Sequence, residues 1–134
     1  MDRLFPNHRE AEVDYFRRTG FFPIMHCIAV RKDVASAYPW LPLELFRAFA
    51  KAKALAFADF SASNILRVSL PWVTDHLKET EAIMGSNPWP YGFKANGDEL
   101  RAMLDYAASD GLISKTLDPA ELFAPSTLDA VDSL

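Results

Sequence analysis

Residues 21–30, Phe-Phe-Pro-Ile-Met-His-Cys-Ile-Ala-Val, constrain this chain more than any other run. Aromatic and β-branched residues gathered behind Gly20 favour an extended backbone, and Pro23 is tolerated only at the beginning or edge of a strand. A period of two puts Ile24, His26, Ile28 and Val30 on one face and Met25, Cys27, Ala29 and Arg31 on the other. Both faces are largely apolar, which predicts a strand over about 22–30 that is covered on both sides within an α/β sheet. Leaving a buried amide or carbonyl unpaired costs about 1–3 kcal/mol, so such a strand needs partners. The rest of the sequence offers no second convincing strand. The chain is therefore either the helical tail of a larger α/β protein or one that borrows a strand from another copy.

The remaining segments read as helices. Asn7 and Glu10 have the spacing of a capping box, and Gly20 is suited to a left-handed stop, which predicts a helix from Asn7 to about Arg18. Asp33 caps a short turn that ends before Pro39, and Pro42 sits in the first turn of a long helix from about Leu41 to Phe60. In that helix Glu44, Arg47 and Lys51, with Lys53 beside them, form a narrow polar stripe on an otherwise apolar cylinder, so burial on most sides is expected. Ser61 to Asn64 read as a break. Pro71 opens a helix in which Val73, Leu77, Thr80 and Met84 share a face before Gly85 ends it. Asn87 to Asn96 is a loop, after which Asn96 and Glu99 make a second capping box for a helix with Leu100, Met103, Leu104 and Ala107 on one side and Gly111 as its stop. Asp118-Pro119 starts a short helix through Phe123, and Pro125-Ser126 starts a last weak one. No repeat or composition shift marks a domain boundary.

Composition excludes several classes. With 134 residues, half of them hydrophobic and 24% charged, the chain has apolar matter for one modest core. A net charge of −4 supplies no basic field for a phosphate backbone, so nucleic acid is not an expected partner. The single Cys27 cannot form an internal disulfide or a Cys-rich zinc site. There is no apolar leader at Met1-Asp2-Arg3-Leu4 and no bilayer-length apolar run, which predicts a cytoplasmic chain with no membrane partner. No Gly-rich phosphate loop, nucleophile elbow, HExxH or paired-Cys spacing is present, and His8, His26 and His76 are far apart, so no metal site is expected.

A few residues remain as candidates. His26, amid Ile24, Ile28 and Val30, is either a core histidine bonded to a backbone carbonyl or a ligand contact held neutral by burial. Arg31 is either a bidentate carboxylate clamp or a solvated strand end. Trp89 and Tyr91, set among Pro88, Pro90 and Gly92, are either a site wall or a packing plug. The helix start at Asn96 either offers free amides to an anion or is capped by its own side chain. Arg17, beside Tyr15 and Arg18, either reaches a carboxylate or faces water.

Several strings occur together: Leu4-Phe5-Pro6-Asn7, Tyr15-Phe16-Arg17-Arg18-Thr19-Gly20, Phe22-Pro23-Ile24-Met25-His26, Arg31-Lys32-Asp33, Pro39-Trp40, Met84-Gly85, Trp89-Pro90-Tyr91-Gly92 and Glu121-Leu122-Phe123-Ala124-Pro125. In this order and spacing they resemble the C-terminal part of the 4,5-dihydroxyphthalate decarboxylase family, whose fold is of the type 2 periplasmic-binding-protein kind. The resemblance implies that residues 1–134 are one C-terminal segment of a longer two-lobed protein. Within it, 1–31 would be a helix plus the strand that crosses back between lobes, and 32–134 the helical part of the first lobe. It implies a lyase of aromatic catabolism whose partner is a small aromatic carboxylate, inactive as this chain alone, and a place for His26 beside the cleft.

Chemistry then assigns roles within that expectation. Each ring carboxylate of 4,5-dihydroxyphthalate is para to a hydroxyl, so a deprotonated phenol pushes charge onto the carbon that loses carbon dioxide. Such a site needs an acid of near-neutral pKa, a cation for the remaining carboxylate and contacts for the ring. His26 is the candidate acid/base, Arg17 or Arg31 the clamp, and Trp89, Tyr91 and Asn96 the binding contacts, and the route requires no organic cofactor. Two other classes stay open: a solute-binding protein for a small anion, and a non-catalytic helical fragment that associates with a second copy.

Overall fold

The computed structural model describes residues 3–61 and 68–132. Among them the regular elements are helices: α1 (His8–Thr19), α2 (Lys32–Ala37), α3 (Leu41–Ser61), α4 (Val73–Met84), α5 (Phe93–Ser109) and two 3-10 turns at Pro119–Leu122 and Pro125–Thr127. The break expected at Ser61 to Asn64 meets the end of α3 at Ser61 and otherwise lies outside the described residues.

The expected α/β class is overturned, because no strand or sheet occurs among the described residues. Residues 20–31 form neither helix nor strand, and His26, Cys27 and Ala29 are exposed while Phe21, Ile24 and Val30 are half-buried. The reason lies in the backbone. β-Branched and aromatic residues hold a strand only when neighbouring strands accept its amides and carbonyls, and the described residues offer none.

Helix boundaries follow the start and stop chemistry closely, although the caps themselves differ. Gly20 adopts the left-handed conformation (φ 72°) and donates its amide to Phe16, ending α1. Asn7 precedes α1 but makes no side-chain cap. The helix expected at Asn96 begins at Phe93 instead, so Asn96 and Glu99 lie inside its first turns and no capping box forms. Asp118 does cap its turn, accepting the Ala120 amide at 3.0 Å.

Faces are legible in the same way. On α4, Val73, Leu77, Thr80 and Met84 are all half-buried, as their spacing requires. On α5, Leu100 and Leu104 are buried, but Met103 is exposed. The long α3 departs furthest from expectation: Ala50 and Lys53 are its buried residues, whereas Phe49, Leu55 and Phe60 face outward. Lys53 is two residues from Lys51, a step of about 200° around a helix, so it stands on the opposite side from the Glu44, Arg47 and Lys51 stripe.

α3 packs against α4 and the second 3-10 turn, and α5 against the first. At the junction, Gly92 has φ +107°, and a Cβ there would stand 2.8 Å from the Ala130 carbonyl oxygen, so glycine is required both by conformation and by the tail that crosses it. Phe93 and Phe123 stack obliquely nearby at 5.5 Å. The enclosed core is small. The accessible surface is 10327 Å² for a 15.0 kDa chain, where a folded monomer of that mass exposes about 7,000 Å².

The observed α5 face is testable: Leu104→Ala is expected to lower stability by about 2–5 kcal/mol in urea unfolding followed by helical circular dichroism, whereas exposed Met103→Ala changes it by less than about 0.5 kcal/mol. Equal effects at the two positions would contradict this face.

Candidate functional site

The loop carrying Trp89 and Tyr91 is held from beneath by one buried cation. Lys53 Nζ donates to Asn87 Oδ1 at 2.9 Å, to the Trp89 carbonyl at 2.7 Å and to Asp132 Oδ2, and it lies 4.5 Å from the centre of the Tyr91 ring. Asp132 Oδ2 also accepts from Asn87 Nδ2 at 3.3 Å and from the Tyr91 amide at 3.0 Å. Both charged side chains are only 4% exposed. Burial pushes the Asp132 carboxyl upward, but the Lys53 hydrogen bond and charge, with the Tyr91 amide and Asn87, outweigh it and hold the group below its ordinary value. Its other oxygen, Oδ1, is buried with no hydrogen-bond partner. Asn96 also ties the loop, giving Nδ2 to the Pro90 and Gly92 carbonyls at 3.0 and 2.8 Å.

Two contacts hold residues 21–31, one to this loop and one to α5. Phe22 meets Trp89 edge-on with ring centres 5.6 Å apart. Glu99, displaced from its expected capping role, accepts the Ile24 amide at 3.1 Å. Burial raises the Glu99 carboxyl, opposed by bonds from the Ile24 and Phe22 amides.

The sequence-derived residues therefore divide. Trp89, Tyr91 and Asn96 come together, and the segment bearing His26 is anchored two residues earlier at Ile24. Tyr91 is occupied by Lys53, and the Asn96 amide group is satisfied by two carbonyls, so both build the loop. Trp89, 37% exposed, keeps part of its ring open. His26 is exposed and makes no hydrogen bond among the described residues, so it is not the buried core histidine that a strand would have made of it. Arg31 is paired with Asp33, Nε to Oδ1 at 3.0 Å with a second contact between Nη2 and Oδ2, and each group's shift reflects that bond: Arg31 raised, Asp33 lowered. Arg17 stands apart from the loop, on the wall of a shallow 320 Å³ cavity between α1 and α4 that it shares with the Arg9–Glu79 ion pair. Among the described residues no group of three metal-ligating side chains comes together, and no helix is long and apolar enough to cross a membrane.

Lys53 and Asp132 escaped the sequence reading. Lys53 had a signal, since Phe46, Ala50, Lys53 and Phe57 follow at i, i+4, i+7 and i+11 along one side of α3. Asp132 had none, because its partners are 41 to 79 residues away.

No family model matches the chain. It is, however, 38% identical over 127 residues to a 4,5-dihydroxyphthalate decarboxylase of Comamonas testosteroni, a match that takes in 95% of this chain. The two proteins are related. The chain spans 38% of that relative's length. Relatedness to the decarboxylase thus agrees with the resemblance read from the sequence strings, while the periplasmic-binding-protein kind of fold gains no support from family models.

Lys53→Met leaves Asp132 buried without its cation and is expected to cost about 3–5 kcal/mol, much of which Lys53→Met with Asp132→Leu should restore. A single-variant loss below about 1 kcal/mol would place the pair in solvent. Because the folded Asp132 carboxyl is depressed, its contribution is present above the unfolded value of about 3.9 and is lost as pH falls through the lower folded value. Acid titration of wild type against the double variant, followed by helical circular dichroism, reads that difference.

Proposed function

We propose that this chain is part of a carboxy-lyase that decarboxylates 4,5-dihydroxyphthalate or a related hydroxylated aromatic acid. The observation that carries the reading is the 38% identity, running along 95% of the chain, to a protein named for that reaction. Since the chain spans 38% of that protein's length, it supplies some of the catalytic apparatus and lacks the rest. The setting would be a cytoplasmic route of aromatic breakdown with a small aromatic carboxylate as ligand.

The chemistry asks for three services. A phenolate para to the departing carboxylate raises electron density at the carbon that bears it. A proton delivered to that carbon gives a tetrahedral centre, and the carbon–carboxylate bond then breaks, its electron pair restoring the ring as carbon dioxide leaves. His26 is suited to deliver the proton: it is exposed, makes no hydrogen bond among the described residues, and is carried by the segment that Phe22 and Glu99 fix beside Trp89. The open part of the Trp89 ring offers an aromatic surface, with Tyr91 and Asn96 setting the loop's shape. For the second carboxylate, Arg31 would exchange Asp33 for substrate, an exposed pair that is weakly held in water. Arg17 serves only if substrate reaches the α1 side.

The 134-residue chain alone is expected to release no carbon dioxide from 4,5-dihydroxyphthalate, and robust turnover would overturn the view that the site is incomplete. The second test places this chain in the Comamonas testosteroni relative in exchange for the 127 matched positions, with turnover followed as 3,4-dihydroxybenzoate formed. There His26→Ala is expected to cut the rate at least about 100-fold. Near-normal turnover in that variant would remove His26 from the chemistry, and a folded but inactive chimera would count against the decarboxylase reading itself.

A further inference from the structure

The two halves of the candidate site are fastened to one side of α5. Asn96 and Glu99 are three residues apart on that helix, so their side chains are neighbours on one face. Asn96 holds the Trp89 loop through the Pro90 and Gly92 carbonyls. Glu99 holds the other half: Oε1 accepts the Ile24 amide at 3.1 Å, and the Phe22 amide bonds the same carboxylate. Between these two amides stands Pro23, which has no donor and a fixed φ. Upstream, Thr19 Oγ1 accepts the Phe21 amide at 3.1 Å and the Phe16 carbonyl accepts that of Gly20. Every amide from Gly20 to Ile24 therefore has a partner, and the last two share Glu99.

Past Ile24 that order stops. Met25 to Ala29 make no hydrogen bond, ion pair or ring contact among the described residues, and all five are exposed. His26 is two residues beyond the Ile24 amide, so its Cα lies within about 7 Å of that of Ile24. Glu99 is thus the last side chain to fix the backbone before the imidazole. We propose that Glu99 is a positioning residue: through the Phe22 and Ile24 amides it sets where His26 stands relative to the Trp89 ring, so that a hydroxylated aromatic carboxylate lying on that ring meets the imidazole. It acts through the backbone and not on the substrate. The proposal rests on the decarboxylase reading for what His26 does, and on geometry alone for what Glu99 holds. A displacement of about 1 Å in such a group is enough to cost about 100-fold in rate.

Two measurements test it, both with Glu99→Ala, which removes the acceptor and suits a helix. In the 134-residue chain this variant is expected to speed amide exchange at Phe22 and Ile24 at least about tenfold, with the Leu100 and Leu104 amides within about twofold of wild type. It should also move the His26 ring resonances, whereas Glu99→Gln, which keeps an oxygen acceptor, leaves them in place. Unchanged exchange at Ile24, or unmoved His26 resonances, would overturn the proposal. In the chimera that carries this chain at the 127 matched positions of the Comamonas testosteroni relative, Glu99→Ala should lower kcat about 10–100-fold with KM within about threefold, and Glu99→Gln should recover most of the rate. Asp98→Asn, on the exposed side of α5, changes it by less than about twofold. In a His26→Ala background, Glu99→Ala should cost less than about twofold more, because its effect runs through the imidazole. An equal loss in both backgrounds would make Glu99 a support of the fold alone and overturn the proposal. A chimera without turnover sinks the decarboxylase reading instead, and the exchange and resonance results then decide the positioning role by themselves.

Discussion

The buried Lys53–Asp132 pair is what the centre of this structure is built around. One ammonium group gathers a loop side chain, a loop carbonyl and a carboxylate from the tail, and the carboxylate in turn accepts a loop amide. Removing two charges from water is expensive, and the geometry offsets that cost only because almost every donor and acceptor in the group is satisfied. The exception is Asp132 Oδ1. The pair therefore gives the loop a single position more than it gives the chain stability. That position holds Trp89 against Phe22 and keeps the Asn96 amide between two carbonyls, so the ordering of the candidate site descends from a cation far from its surface.

How much of this was legible in the sequence depends on the range of the interaction. Helix ends were readable because their causes are local: Gly20, Gly85 and Asp118 act on backbone groups within four residues. The half-buried stripe of α4 was readable because periodicity alone fixes it. The strand was misread because extended propensity says nothing about whether a neighbour exists to pair with it. Glu99 was given a local partner by its spacing from Asn96, yet it serves an amide 75 residues earlier. Tyr91 and Asn96 stand out in the sequence by their aromatic and helix-start company, and in the structure their partners are the Lys53 ammonium and the Pro90 and Gly92 carbonyls. His26 was weighed as a core residue because of its apolar neighbours in sequence, and those neighbours do not surround it in space.

The outward apolar face of α3 and the small core are two sides of one fact. A chain with half its residues hydrophobic has the material for a larger interior than the one it encloses, and the surplus stands on the outside. Exposed Leu and Phe in a row are costly in water, whereas single ones are ordinary. The acidic balance has a bearing on the site as well. Under the proposed reading, a dianionic aromatic substrate approaching a chain of net charge −4 would be drawn by local cations alone, and of the two arginines considered one is already engaged by a carboxylate.

The span between Lys53 and Asp132 also has a meaning in time. Seventy-nine residues separate the two halves of the clamp, so α3 is made well before the carboxylate that neutralises its buried lysine exists. Until Asp132 appears, that lysine must stay in water and the loop over Gly92 has no tail to seat against it. Contacts so distant in sequence close slowly. Throughout synthesis, then, α3 presents both its charged inner side and its apolar outer side to the surroundings, and this is the interval in which association with the wrong chain competes with folding.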